Sequence, residues 1–339
     1  MIPADNHSVV KATDLSIGYL TGYKQTVVSA KINFSFGTGV FVCLIGPNGA
    51  GKSTLLRTMS GFQPVLEGKS EICGHSVNSV KPSELSKLLS IVLTDKPEGF
   101  KMTVFDVAAT GCQPYTGFFG RLDPGHRKIV YQSLEQVGIR HLENRYFDEL
   151  SDGEKQKTMI AKSLSQLTPV IILDEPAAFL DFPSKIDLMM LLRRLCSENN
   201  KTIIISTHDI NLAFKMADEI MLLSPGKPFI TGIPEELIYS GVIGGYFKRH
   251  DLFFDPLKLM FSQTIHYSKK AGLVGSELFK ALASNLLQRH GFEIVDTEND
   301  IDINLFLKET GKNTMAMTYN GKIETFSGFQ GLYAYLIAT

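Results

Sequence analysis

Short apolar runs rich in β-branched residues recur through the first two thirds of the chain: Val40–Gly46 (VFVCLIG), Val170–Glu175 (VIILDE) and Thr202–His208 (TIIISTH). Apolar residues at consecutive positions predict strands buried on both faces, as in a parallel sheet covered by helices. Between these runs the period changes. Leu188, Leu191, Leu192 and Leu195 share one helical face within Asp187–Asn199, and Ile210, Phe214 and Ala217 do so within Asp209–Ala217. The alternation predicts an α/β domain with a largely parallel sheet up to about residue 236. Residues from about 95 to 165 break the rhythm, being mostly helical around the loop CQPYTGFFGRLDPGH, which predicts a helical insertion into the α/β core.

The texture changes again from about residue 240. Ser276–His290 predicts an amphipathic helix carrying Leu278, Leu282 and Leu286, stopped by Gly291. Ile301, Ile303, Leu305 and Leu307 alternate in strand fashion, Asn320-Gly321 is a two-residue hairpin signal, and Leu332 and Leu336 sit on a closing helix. The expected organisation is a first domain over 1–238 and a small α/β domain over 239–339, without internal repeats or low-complexity segments.

Composition narrows the partners. A length of 339 residues with 44% hydrophobic and 20% charged residues supports more than one ordinary core. A net charge of -1 does not favour a protein built for phosphate-backbone contact, so no nucleic acid is expected. Cys43, Cys73, Cys112 and Cys196 form no CxxC pair, which points away from zinc and disulfide frameworks and toward a reducing compartment. Cys43, inside an apolar run, reads as a buried small hydrophobe. No apolar run approaches the roughly 18 residues of a membrane span, and MIPADNHSVVKATD lacks the layout of a secretory signal. A membrane role is therefore expected only through docking to another protein.

The strongest chemical signal is Gly46-Pro47-Asn48-Gly49-Ala50-Gly51-Lys52-Ser53-Thr54, directly after a predicted strand and before a helical pattern. This is a P-loop in its confirming context. Its glycines let backbone N–H groups ring the β-phosphate, and the helix N-terminus adds free donors and a dipole. Lys52 supplies charge to the β- and γ-phosphates, Ser53 a hydroxyl for Mg²⁺, and Thr54 a contact to the α-phosphate. Asp174 and Glu175 end a second buried strand. There Asp174 is placed to hold Mg²⁺ through water, and Glu175 to act as general base on the attacking water.

Leu150–Gln156 (LSDGEKQ), at the start of a further helical pattern far beyond Lys52, completes the set. Here the sequence resembles the ABC ATPase family, whose signature reads LSGGQ or a near variant. The resemblance implies a P-loop core of ABC type in which two copies sandwich two ATP molecules. Ser151 and the Gly153 N–H would then reach the γ-phosphate held by the partner's P-loop. Glu154 stands beside them, although Ser151 and Glu154 alone would also read as a plain helix capping box. Tyr19 resembles the aromatic that stacks on adenine, Asp181 the loop linking the two composite sites, and His208 the switch histidine that contacts the γ-phosphate.

Three positions depart from the family pattern. The usual glutamine at the junction of core and insertion is missing from SIVLTDKP; Thr94 or Asp95 stands there, and Asp95 could meet Mg²⁺ through water. Asp152 replaces a signature glycine and is expected to face solvent. A Gly-Arg-x-Pro element is replaced by Gly111-Cys112-Gln113-Pro114. The insertion still resembles the branch serving siderophore, haem and cobalamin importers. That implies an ATP- and Mg²⁺-dependent homodimer docked on transmembrane permease subunits, and indirectly on a substrate-binding protein, at the cytoplasmic face of a bacterial inner membrane. The alternative is a soluble ABC ATPase of translation or DNA maintenance. Such proteins normally carry two cassettes or a long coiled coil, and neither is seen here. The tail shows no catalytic constellation, and His250, His266 and His290 lack metal-ligand spacing.

Overall fold

The computed structural model describes residues 8–22, 24–93, 101–117, 120–247, 252–263, 267–295, 305–311, 313–319 and 321–338. They divide into two compact units, Met1–Lys248 with Phe254–Phe261, and Arg249–Phe253 with Ser262–Thr339.

The first unit opens with β1 (Val10–Thr21), β2 (Lys24–Phe36), β3 (Phe41–Ile45) and α1 (Lys52–Met59), followed by β4 (Glu67–Ile72), β5 (His75–Ser76), α2 (Pro82–Leu85) and β6 (Leu89–Val92). The insertion supplies α3 (Val104–Ala109), α4 (Pro124–Gln136) and α5 (Asp152–Ser165). The core resumes with β7 (Val170–Leu173), α6 (Phe182–Asn199), β8 (Thr202–Thr207), α7 (Ile210–Met216), β9 (Glu219–Leu222), β10 (Ile230–Gly232), α8 (Pro234–Tyr239) and α9 (Val242–Phe247). One antiparallel sheet runs β2-β1-β4-β5, and a six-stranded sheet runs β10-β9-β3-β8-β7-β6. In the larger sheet β9, β3, β8, β7 and β6 are parallel, and only β10 is antiparallel.

The consecutive apolar runs arise because both faces of this sheet are covered. Phe41, Cys43, Ile45, Leu173, Ile203 and Ile205 point into one core with α5, α6 and α7. Their neighbours Val42, Leu44, Ile172 and Ile204 point into another with α1 and the antiparallel sheet. Helix α6 starts earlier than the leucine pattern suggested, because Asp181 caps it and Pro183 fits its first turn. The α-helices α3, α4 and α5 each carry a capping box, Thr103 with Asp106, Asp123 with His126 and Ser151 with Glu154.

Cys43, Cys112 and Cys196 are buried and free. Burial pushes the Cys196 thiol up to about 12 and the Cys43 thiol higher still. Both raised values favour the neutral thiol in the folded state. Their stabilisation is complete below the ordinary thiol range and is lost as pH rises above it, by about 1.4 kcal/mol per pH unit for each thiol. Urea melts at pH 7.5 and pH 10 should show this loss, and Cys43→Ser/Cys196→Ser should lessen it. In the native protein at neutral pH, iodoacetamide should leave both thiols unmodified by mass spectrometry.

β11 (Leu252–Asp255) and β12 (Met260–Gln263) pair as a two-stranded ribbon. The second unit is then built from β13 (Lys269–Val274), α10 (Glu277–Arg289), β14 (Phe292–Val295), β15 (Leu305–Gly311), β16 (Thr314–Tyr319), β17 (Lys322–Ser327) and α11 (Gly328–Ala338). Its sheet runs β14-β13-β15-β16-β17, parallel at β14, β13 and β15 and antiparallel beyond. One expectation is corrected here. Leu278 and Leu282 are exposed (71% and 46%), and α10 instead buries Phe279, Ala283, Leu286 and Leu287. The aromatic ring offers more apolar area than a leucine, so Phe279 takes the centre of the buried stripe. Leu305 and Leu307 are buried as alternation required, whereas Ile301 and Ile303 lie outside the described residues. Tyr319 pairs with Lys322, which leaves a two-residue connection at the expected hairpin, with Asn320 outside the described residues. His290 packs edge-on against Tyr333 at 5.8 Å; His250 and His266 also lie outside the described residues.

Candidate active site

The P-loop joins β3 to α1. A side chain at Gly46 would meet the Leu223 carbonyl oxygen at 2.0 Å, and Gly51 sits at φ 97° against Val28, so both positions need glycine. Lys52, the first residue of α1, is buried and donates to the carbonyls of Gly46 (3.0 Å) and Pro47 (3.2 Å). Its ammonium lies 3.9 Å from the Glu175 carboxylate. Burial lowers its pKa, and the charges of Glu175 and Asp174 oppose that fall. The half-exposed Tyr19 shares a 2.8 Å hydrogen bond with Thr54 Oγ1. Tyr19, Asn48, Gly49, Lys52, Ser53 and Glu175 are among the residues around a cavity of about 240 Å³.

The parallel register brings the ends of β7 and β8 to the edge of this cavity. Asp174 is buried and accepts from Ser206 Oγ at 2.6 Å. Glu175 has a left-handed backbone, φ 49°, a conformation that costs on the order of 1–3 kcal/mol for a residue of its type. Its N–H donates to Ser206 Oγ at 2.8 Å, and its carboxylate lies 2.6 Å from His208 Nε2. Lys52, Glu175 and His208 are thus brought together, with Asp174 joined to Glu175 through Ser206. Ser206 was missed. Its signal was a polar residue inside the buried run TIIIST, but only the cross-strand geometry shows what it touches.

Ser151, Gly153, Glu154 and Asp181 are not among the residues lining this cavity. Ser151 caps α5, and both its N–H and its hydroxyl donate to Glu154 Oε2 at 2.8 Å. Those bonds hold the Glu154 carboxyl below the usual carboxylate range. Asp152 is exposed, as expected. Asp181 accepts from the Ser184 N–H at 3.1 Å, which likewise keeps its carboxyl low. Thr94 and Asp95 lie outside the described residues. Ser151→Ala removes a helix cap and should lower stability by about 1 kcal/mol, read from the denaturation midpoint.

A strand, a glycine-rich loop and a helix N-terminus around a buried lysine, with an acidic pair on the neighbouring strand end, define a P-loop nucleoside triphosphatase with a helical insertion. Residues 30–178 match the family described as ABC transporter. An uncharacterised ABC transporter ATP-binding protein of Methanocaldococcus jannaschii is 41% identical over 235 residues, covering 69% of this chain and 80% of that protein. The petrobactin import ATP-binding protein FpuC of Bacillus anthracis is 34% identical, covering 71% of this chain and 89% of that one. Among solved structures, the dimeric structure of a bacterial ABC transporter cassette aligns with a TM-score of 0.58 at 26% identity, over 66% of this chain and 98% of its own. The chain belongs to the ABC transporter ATP-binding proteins. It is an ATP-binding subunit and an ATP hydrolase of the transport type; cassettes of this family dimerise and work with permease subunits. No helix among the described residues is long and apolar enough to cross a membrane.

Proposed function

We propose that this chain energises an importer of an iron chelate of the siderophore type, or of haem or cobalamin, from the cytoplasmic face of a bacterial inner membrane. The observation that carries this reading is the likeness to the petrobactin import protein, which extends over 89% of that protein's length. In this reading residues 1–238 are the motor, and residues 239–339 an accessory domain without a catalytic role.

Tyr19 stacks on adenine, the P-loop N–H groups and Lys52 hold the phosphates, and Thr54 touches the α-phosphate. Ser53 and Asp174 would hold Mg²⁺: both offer hard oxygen donors, one Asp174 oxygen being engaged by Ser206, and the ion supplies charge neutralisation at the β- and γ-phosphates. Glu175 takes the proton of the water that attacks the γ-phosphorus while His208 orients the γ-phosphate. Ser151, Gly153 and, next to them, Glu154 serve the nucleotide of the partner copy, with Asp181 at the junction of the two sites. Closure of the ATP-bound dimer moves the helical insertions and the permease helices docked on them, and the permease receives its cargo from a substrate-binding protein. No nucleic-acid partner is proposed.

The test is a tagged pull-down from detergent-solubilised membranes, with co-purifying proteins identified by mass spectrometry. Recovery of a multi-helix permease is the expected result, and its identity narrows the cargo. Recovery of soluble partners only, with the chain absent from membranes, overturns the importer and leaves the ATPase standing.

A further inference from the structure

The hydrolytic carboxylate is held at two points by one strand end. Along β8 every second side chain faces the same way, so Ser206 follows Ile204 onto the face that packs against α1. On β7 the same rule carries Asp174 onto the face of Ile172. The two meet there, both buried, and the single hydroxyl of Ser206 uses both of its functions: it donates to Asp174 Oδ1 and accepts from the Glu175 N–H. Two residues further on, His208 meets the Glu175 side chain. Between these holds Glu175 keeps a left-handed backbone that its residue type disfavours. The Glu175 carbonyl, for its part, accepts from the Ala178 N–H at 3.0 Å.

We propose that Ser206 is a positioning residue for hydrolysis: its hydroxyl clasps the Glu175 backbone to the Asp174 carboxylate and thereby aims the Glu175 side chain. This deepens the assignment of Glu175 as general base and rests on it. A buried hydroxyl is normally satisfied somewhere, and a serine serving only that need could find a backbone carbonyl of its own strand layer. Here both partners are the two acidic residues of the site. Removing the hydroxyl frees the Glu175 N–H and lets the residue relax toward an ordinary backbone conformation, which re-aims the carboxylate. Displacements of about 1 Å at a reacting group can cost on the order of 100-fold in rate.

The experiment is a mutant cycle on the full chain, reading steady-state ATP hydrolysis together with ATP affinity and the melting temperature. Ser206→Ala should lower kcat by about 10- to 100-fold, with KM for ATP within about twofold and the fold intact. Ser206→Thr, which retains the hydroxyl, should recover most of the rate. Ser206→Cys, which keeps nearly the volume but bonds weakly, should not. In the Glu175→Gln background, Ser206→Ala should cost nothing further, because the residue through which it acts is already silent. A normal kcat for Ser206→Ala, a raised KM at unchanged kcat, or the same fold loss with and without the 175 carboxylate overturns the positioning role. Near-normal turnover by Glu175→Gln alone overturns the base assignment beneath it.

Discussion

Glu175→Gln should bind ATP normally and hydrolyse it about 10²- to 10⁴-fold more slowly, the usual consequence of losing a general base. The substitution keeps the shape of the side chain and an oxygen for His208, which sits 2.6 Å from the carboxylate. It removes the basicity that the proposed role requires for taking the water proton. The lysine contact at 3.9 Å is long and serves charge more than direction, so the loss of one negative charge beside Lys52 should favour, if anything, the incoming triphosphate. With hydrolysis blocked, the ATP-bound pair of chains should persist. Phosphate release gives the rate, a fluorescent nucleotide the affinity, and size-exclusion chromatography in ATP the trapped dimer. Near-wild-type turnover would sink the assignment.

Lys52→Ala should weaken ATP binding by about 100-fold or more, the scale of losing a charge-assisted contact of roughly 3 kcal/mol. The ammonium is buried and already aimed by the Gly46 and Pro47 carbonyls, so its order is established before nucleotide arrives. Alanine deletes the charge and leaves those two carbonyls without this donor. Isothermal titration with ATP measures the loss, and a melting curve separates it from unfolding. An unchanged Kd would remove Lys52 from the phosphate site.

Much of this arrangement is legible from residue order alone. Val170–Glu175 and Thr202–His208 announce buried parallel strands because consecutive apolar residues need cover on both faces, and the two cores supply it. The P-loop is legible because its glycines, lysine and hydroxyls must follow one another along the chain. What escaped depends on distance in sequence or on competition. The Ser206 bridge joins residues 31 and 32 positions apart, and no local pattern encodes it. The left-handed backbone of Glu175 is imposed by its surroundings, since its residue type gives no such signal. On α10, a leucine repeat suggested one face, and the larger apolar area of Phe279 decided for another. The roles proposed for Gly153 and Asp181 rest on the family resemblance alone, because one concerns another copy's nucleotide and the other the junction of two sites.

The strand β8 has a further consequence. Its buried residues read the sheet in half-turn steps, and the contacts to Glu175 come from its next-to-last rung, Ser206, and from the residue just beyond it, His208. Inserting one residue between Thr202 and Ser206 would leave composition and hydropathy almost untouched. It would nevertheless turn the hydroxyl to the opposite side of the sheet, among the helices, and carry the histidine one step past its partner. β8 is in this sense a ruler. Its length, more than the identity of its isoleucines, sets where the Ser206 hydroxyl and the His208 ring meet Glu175.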